Sequence, residues 1–310
     1  MSRYILQRLL FMVFSIFGAT FLAFSASRLA PGDPLRLMLG EQNLSPEVVA
    51  AWEARYGLDK PIPVQYLYYV RNALQGDLGT SYHYVGTPVT EIIGPAIWVT
   101  FRWESVTLLL AVLLAVTLGT ISAIKQNTWI DTATMSFALL GISLPDFALA
   151  TFLIVGLALR LDWLPVAGYE TPVHYILPAI TMATRPTALL TRLVRASMLD
   201  VIHQDYMTVA RAKGLSERAV IIRHGLRNAL LPILTVVGIL IGRILSGSFI
   251  VETIFNIPGI GRVGVTAVLQ RDYPIILGAT LTLAAAFLVT TFFVDLLYGV
   301  LDPRIRFAEQ

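Results

Sequence analysis

The sequence predicts an all-α membrane protein: six transmembrane helices, a small helical extracytoplasmic domain after the first span, and a basic cytoplasmic loop between spans four and five. Three observations predict it. Hydrophobic residues make up 56% of the 310-residue chain and mean hydropathy is +0.70, well above an ordinary soluble domain. The apolar residues gather in runs of about 20, long enough to cross a bilayer core as helices that satisfy their own backbone hydrogen bonds. Lys and Arg collect on alternate connecting loops, the asymmetry that orients membrane helices. The short alternating strands of a barrel are missing.

The spans fall at 9–29, 101–124, 132–159, 173–194, 229–251 and 275–300. Arg3 and Arg8 precede the first, which ends in small residues (Ser25, Ala26, Ser27) as a cleavable leader would. Five more spans follow, and an even number returns the C-terminus to the N-terminal side, so the first helix is expected to be retained. One side of the membrane then carries Arg3, Arg8, Lys125, Arg192, Arg195, Arg211, Lys213, Arg218, Arg223, Arg227, Arg304 and Arg306. The other has Arg36, Arg55, Lys60 and Arg71 in a long loop, where positive charge counts for less, plus Arg160, Arg262 and Arg271. Both termini are therefore expected in the cytoplasm.

The outer loop has helical patterning of its own. Ser45 can cap a helix with Pro46 at its first position and Gly57 at its end. Pro63 can start a second, with Val64, Leu67 and Leu74 near one face and Gly76 stopping it. The chain thus divides into a tail and first span over 1–29 and an extracytoplasmic helical cap over 30–100. A five-helix core over 101–300 contains a cytoplasmic loop at 195–228, and a tail covers 301–310. The cap either covers polar loop ends or meets an outside partner.

Catalytic signatures are missing. No glycine-rich run leads into any of the three lysines, and neither HExxH nor GxSxG occurs. Cysteine is absent, and His83, His174, His203 and His224 lie in different loops without metal-ligand spacing. His203 and His224 are expected to be solvated or to cap helices. Nothing supports an enzyme, a metal site or a nucleic-acid partner.

The most informative stretch is DYMTVARAKGLSERAVIIRHGLRNALLP, Asp205 to Pro232. Tyr206, Val209 and Ala210 share a narrow apolar face at helical spacing. Small Ala210 and Ala212 allow another surface close to the backbone. Gly214 can end the helix in the left-handed conformation, and Ser216 can cap the next, which presents Val220 and Ile221 on one side. A surface helix on anionic headgroups would share this charge but would carry larger apolar anchors. A compact helix–Gly–helix suits a protein groove. Within the spans, Asp146 (beside Pro145), Arg185 (before Pro186) and Arg243 are costly at mid-bilayer and should face the bundle interior or water. They either pair structurally or, with Ser248, line a passage for a charged or zwitterionic solute. Gly242, Gly247 and Ser248 also suit close helix packing.

ARAKGL followed by LRNALLP resembles the cytoplasmic signature loop of ABC importer permeases, in the form shared by dipeptide, oligopeptide and nickel transporters. Aligned on Gly214, the chain keeps Ala210, Gly214, Leu226 and Pro232 of that signature. It departs at Thr208, Val209 and Arg227, where the general form has Glu, Ala and Pro. APGDP, YGLDKP, GDLGTSY, WLPVAGY, FNIPGIGR, RDYP and LDPRIR resemble the same family in their order along nearly the whole chain. The resemblance implies that 195–228 is a coupling-helix loop held in a cleft of an ATPase subunit through Tyr206, Met207, Val209, Ala210, Arg211, Ala212, Lys213 and Gly214. Arg211 and Lys213 would pair with acidic groups on the ATPase rim. It implies a permease subunit of an ATP-driven importer in the bacterial inner membrane, moving dipeptides or oligopeptides by alternating access. Its partners would be a second homologous permease subunit, two ABC ATPase subunits, an extracytoplasmic solute-binding protein and membrane lipid. No cofactor would bind this chain, ATP and Mg²⁺ belonging to the ATPases. Nickel chelates or glutathione are alternative solutes; a secondary carrier or channel is the alternative of another class.

Overall fold

The computed structural model describes residues 2–29, 47, 50, 59–243 and 248–301. Among them the regular structure is helical, apart from one isolated antiparallel bridge between Thr80 and Pro88. In chain order the helices are α1 (Ser2–Leu29), α2 (Ile62–Leu74), α3 (Val89–Ile124), α4 (Trp129–Ser143) and α5 (Asp146–Leu153), which runs on as a π-helical stretch to Arg160. Next come α6 (Ile176–Ile202) and α7 (Asp205–Ala212). A short turn at Glu217–Ala219 and a π-helical stretch, Val220–Leu226, lead into α8 (Arg227–Arg243). The remainder is α9 (Phe249–Ile254), α10 (Ile260–Gln270) and α11 (Tyr273–Leu301). The helix expected between Ser45 and Gly57 lies almost wholly outside the described residues.

Among the described residues three helices are long and apolar enough to cross a membrane unbroken: Leu6–Leu29 of α1, α3, and Tyr273–Val294 of α11. Two bent pairs bring the number to five if each counts as one span. The span expected as one piece over 132–159 is broken, with α4 and α5 meeting at 108°. Pro145 explains the break, because it lacks an amide donor and forces the preceding Leu144 into extended backbone (ψ 125°). Asp146, expected near mid-span, therefore opens the second half-helix. Helix α3 begins 12 residues before the apolar boundary at 101, and its 36 residues reach about 54 Å. Hydropathy marks where lipid begins, not where a helix begins.

The chain forms two compact units, one of residues 1–100, 245–249 and 258–292, the other of 101–244, 250–257 and 293–310. In the first, α2 runs beside α1. The Tyr66 hydroxyl donates to the Phe17 carbonyl (3.0 Å) and lies 3.0 Å from Thr20 Oγ1, while Phe21 and Phe24 pack on its ring. Val89, Ile93 and Ala96 of α3 form a core with Ile260, Ala267, Ile275 and Ala279. Gly278 makes this possible: a Cβ there would sit 2.6 Å from Val89 Cγ1. Buried Asp272 caps α11, accepting from the Ile275 amide (3.4 Å), the His83 amide (3.0 Å) and the Ser81 hydroxyl.

In the second unit α6 is the hub. Leu190, Val194 and Met198 pack with Ala115 and Ala123 of α3 and with Ala229 and Ile233 of α8. Two glycines let helices close on it. A Cβ on Gly119 would lie 2.6 Å from Val194 Cβ, and one on Gly141 would lie 3.0 Å from Thr184 Cγ2.

Candidate functional site

Segment 203–228 folds much as its pattern suggests, but it faces differently. His203 closes α6 with Nδ1 2.8 Å from the Leu199 carbonyl, a capping role. Gln204 is extended, and α7 follows. Gly214 has φ +80° with nothing within 4 Å of a would-be Cβ, so it is needed for conformation and not for space. Ser216 occupies the capping position of the next turn, though its hydroxyl makes no capping bond.

The α7 face differs from expectation. Met207 and Ala210 are buried against Val220, whereas Tyr206 and Val209 are exposed. Ala210, at the edge of the face that carries Tyr206 and Val209, is covered while they are not, and neither Met207 nor Ala210 offers contact area outside the chain. The reason is tertiary: Gly225 leaves room for the Met207 methyl, 3.2 Å from where a Cβ would be, with Met198 Cε at 3.5 Å. Arg211 is also otherwise engaged. Its Nε and Nη2 donate to Glu217 at 3.1 and 3.0 Å across the Gly214 turn. This pairing holds the Glu217 carboxyl below its ordinary pKa and the Arg211 guanidinium above its own. The pair forms one wall of a cavity of about 300 Å³ that Ile124, Leu199 and His203 also line. Tyr206 accepts from Asn228 Nδ2 at 3.3 Å, tying α7 to α8. The outward face is thus Tyr206, Val209, Ala212 and Lys213.

A second cluster, outside this segment, was not anticipated. Asp131, in the first turn of α4, takes a bidentate bond from Arg195 of α6, both distances 2.7 Å. It also accepts from Ser122 Oγ (2.5 Å) and the Asn127 amide (3.0 Å). Asn127 has φ +62° in the tight turn between α3 and α4. One carboxylate therefore fastens α3, its turn, α4 and α6. The available signal was an acidic residue opening an otherwise apolar span.

Of the expected pathway residues, Arg185 Nε and Asp146 Oδ1 are 3.9 Å apart, an ion pair too long for a hydrogen bond, and both are partly solvent-accessible. Asp146 sits at the N-terminus of a half-helix, where the backbone dipole favours a carboxylate. Arg243 ends α8. Half-buried Ser248 belongs to the other compact unit, so the second unit by itself joins only Asp146 and Arg185.

Helical spans, a loop with one face packed inward and one left outward, and a broken span carrying an ion pair describe a multi-pass membrane protein. Residues 115–307 match the family of binding-protein-dependent transport system inner membrane components, and residues 1–94 match that family's N-terminal domain. The chain belongs to this family, the permease subunits of ABC importers. It is 40% identical over 310 residues to the dipeptide transport system permease protein DppB of Bacillus subtilis, covering all of both chains. It is 40% identical over 307 residues to the glutathione transport system permease protein GsiC of Pectobacterium atrosepticum, covering 99% of this chain and 100% of that one. With GsiC of Escherichia coli K12 the identity is 38% over 310 residues. It is a multi-pass inner-membrane protein that works with ATPase and solute-binding partners.

Proposed function

We propose that the chain forms half of a translocation pathway for dipeptides or oligopeptides, driven by separate ATPase subunits that grip the outward face of α7. The observation that carries this reading is the two-faced α7. Its inner residues bolt it to α6 and the π-helical stretch, while Tyr206, Val209, Ala212 and Lys213 stay free of the chain's own core. A helix so held moves as one body with the bundle, so a push on its outer face becomes a displacement of the spans. Met207, Ala210 and Gly214 shape the helix, and Arg211 stiffens its turn. ATP and Mg²⁺ bind the ATPases, and this chain carries no cofactor.

The six-span count rests on α6 as the remaining span. Its 27 residues reach about 40 Å, beyond the ~30 Å hydrocarbon core. Twelve of them are buried inside the protein, so they need not be as apolar as a lipid-facing helix. Both termini then face the cytoplasm, 30–100 faces outward, and 195–228 meets the ATPase. A second, related permease completes the pathway, with two ATPases and a docking protein outside. Asp146 and Arg185, at a broken helix, are the residues best placed to meet a zwitterionic solute.

The name DppB favours dipeptides and GsiC favours glutathione, itself a peptide; nickel chelates are carried by no observation here. The test is a single cysteine at Ala212, a clean probe because the chain has none. Crosslinking in native membranes should attach an ATPase subunit with a yield that changes with ATP. Adducts with lipid or with the same chain alone, despite an accessible thiol, would overturn coupling and favour a self-contained carrier. Uptake competition between a labelled dipeptide and glutathione then separates the two solutes.

A further inference from the structure

The first compact unit contains a cavity of about 350 Å³. Its walls include Phe24 and Arg28 of α1, Tyr68 and Tyr69 of α2, Asp77 and Leu277 of α11. Two polar groups in it are unsatisfied. The buried Nε of Arg28 and the buried hydroxyl of Tyr69 find no hydrogen-bond partner among the described residues. Arg28 leans on the Phe24 ring, 5.2 Å from its centroid, and no described carboxylate comes within ion-pair distance of it. A buried guanidinium N–H and a buried hydroxyl without hydrogen-bond partners each cost free energy that an anionic oxygen would recover. Burial holds the Tyr69 hydroxyl well above its ordinary pKa, so it remains a donor.

The location restricts the ligand. Arg28 is one residue from the end of the apolar stretch Leu6–Leu29, at the level where headgroups lie. Tyr68, Tyr69, Tyr82 and Tyr273 line the cavity, the residue type that gathers at membrane–water boundaries. Phe21 and Leu22 on α1, with Leu67 and Leu74 on α2, are exposed on the helices that wall it and suit acyl chains. At the rim, Asp77 uses Oδ1 for the Gly79 amide (2.8 Å) and leaves its charge to be met by a cation. One positive and one negative group in the same pocket disfavour a simple anion.

We propose that this cavity binds the phosphoethanolamine headgroup of a membrane lipid, its phosphate taking the Arg28 and Tyr69 donors and its ammonium meeting Asp77. The lipid staples α2 to α1 beside the start of α11. The site is independent of the transported solute and of α7, so it stands or falls apart from the coupling reading.

The test is native mass spectrometry of the purified full-length chain in detergent with dioleoyl-phosphatidylethanolamine, dioleoyl-phosphatidylglycerol, O-phosphoethanolamine or inorganic phosphate. Wild type should retain phosphatidylethanolamine in preference to phosphatidylglycerol, and neither soluble phosphate should displace it at equal concentration. Tyr69→Phe, which removes one oxygen and keeps the packing, and Arg28→Gln should each weaken retention about tenfold. Asp77→Asn should erase the preference for the ammonium-bearing lipid. Retention unchanged in Tyr69→Phe would overturn the site even if Arg28→Gln failed to fold. Displacement by O-phosphoethanolamine or phosphate would overturn the lipid as its source.

Discussion

At the scale of single residues, glycines and one exposed ion pair decide local geometry. Gly119 lets α3 touch α6: a Cβ there would meet Val194 Cβ at 2.6 Å and the Thr191 carbonyl at 2.7 Å. Gly119→Ala should cost about 1–3 kcal/mol by overpacking, read as a lower midpoint on thermal unfolding in detergent. Adding Val194→Ala should restore only part, because the carbonyl cannot be trimmed. Gly214 is different, with open space but φ +80°. The Arg211–Glu217 pair across that turn predicts a pH profile. The Glu217 carboxyl is held below its ordinary pKa by the Arg211 hydrogen bond. Its contribution is full above the unfolded value of about 4.3 and disappears as pH falls through the lowered folded value. Raised Arg211 loses its share only in strong alkali. The protection this pair gives Ala212–Leu215 against hydrogen exchange should therefore stay constant from about pH 5 to pH 9. Glu217→Gln should speed it at neutral pH; an equal rate would show that the pair does not hold the turn.

At the scale of elements, α6 organises the second unit, and the Asp131–Arg195 bond fixes α6 to the α3–α4 turn. Asp131 is buried and hydrogen-bonded on both oxygens, which separates this pair from exposed ones. Asp131→Ala should destabilise by about 3–5 kcal/mol, because Arg195 loses its partner where water is scarce. The double variant with Arg195→Ala should cost less than the two single costs added, since no charge is left stranded. Denaturation of all four proteins in the same detergent measures this, and strict additivity would mean that the two side chains act separately. ATPase-linked uptake should fall in the single variants, because the clamp ties the turn between α3 and α4 to the helix leading into α7.

At the scale of the whole molecule, the six-span reading makes a topological prediction. A cysteine at Glu170, between α5 and α6, should react with a membrane-impermeant maleimide on intact cells. One at Lys213 should react only after permeabilisation. If the 108° break between α4 and α5 instead returned the chain to its starting side, the pattern would reverse, with Glu170 protected and Lys213, across α6, reactive on intact cells. The site was unevenly legible in the sequence. The helix–Gly–helix order of 205–226 was readable because Gly214 and the apolar spacing are local signals. The inward turn of Met207 and Ala210 was not, since it depends on the space left by Gly225, on a neighbouring element. Arg211 looked available for an outside partner because Glu217, six residues on, is brought to it only by the turn.

What the sequence by itself determined is the class and its solvent: apolar runs of membrane length, charge asymmetry between loops, and ordered motifs from GDLGTSY to RDYP. These are properties of composition and spacing, set by the cost of placing backbone and charge in hydrocarbon. Only the tertiary structure decided which polar groups meet. Ser81 and Asp272 are 191 residues apart, and Asp131 and Arg195 are 64 apart. No local pattern encodes such pairs, because they exist only once close-packed helices leave a buried carboxylate no water to bind.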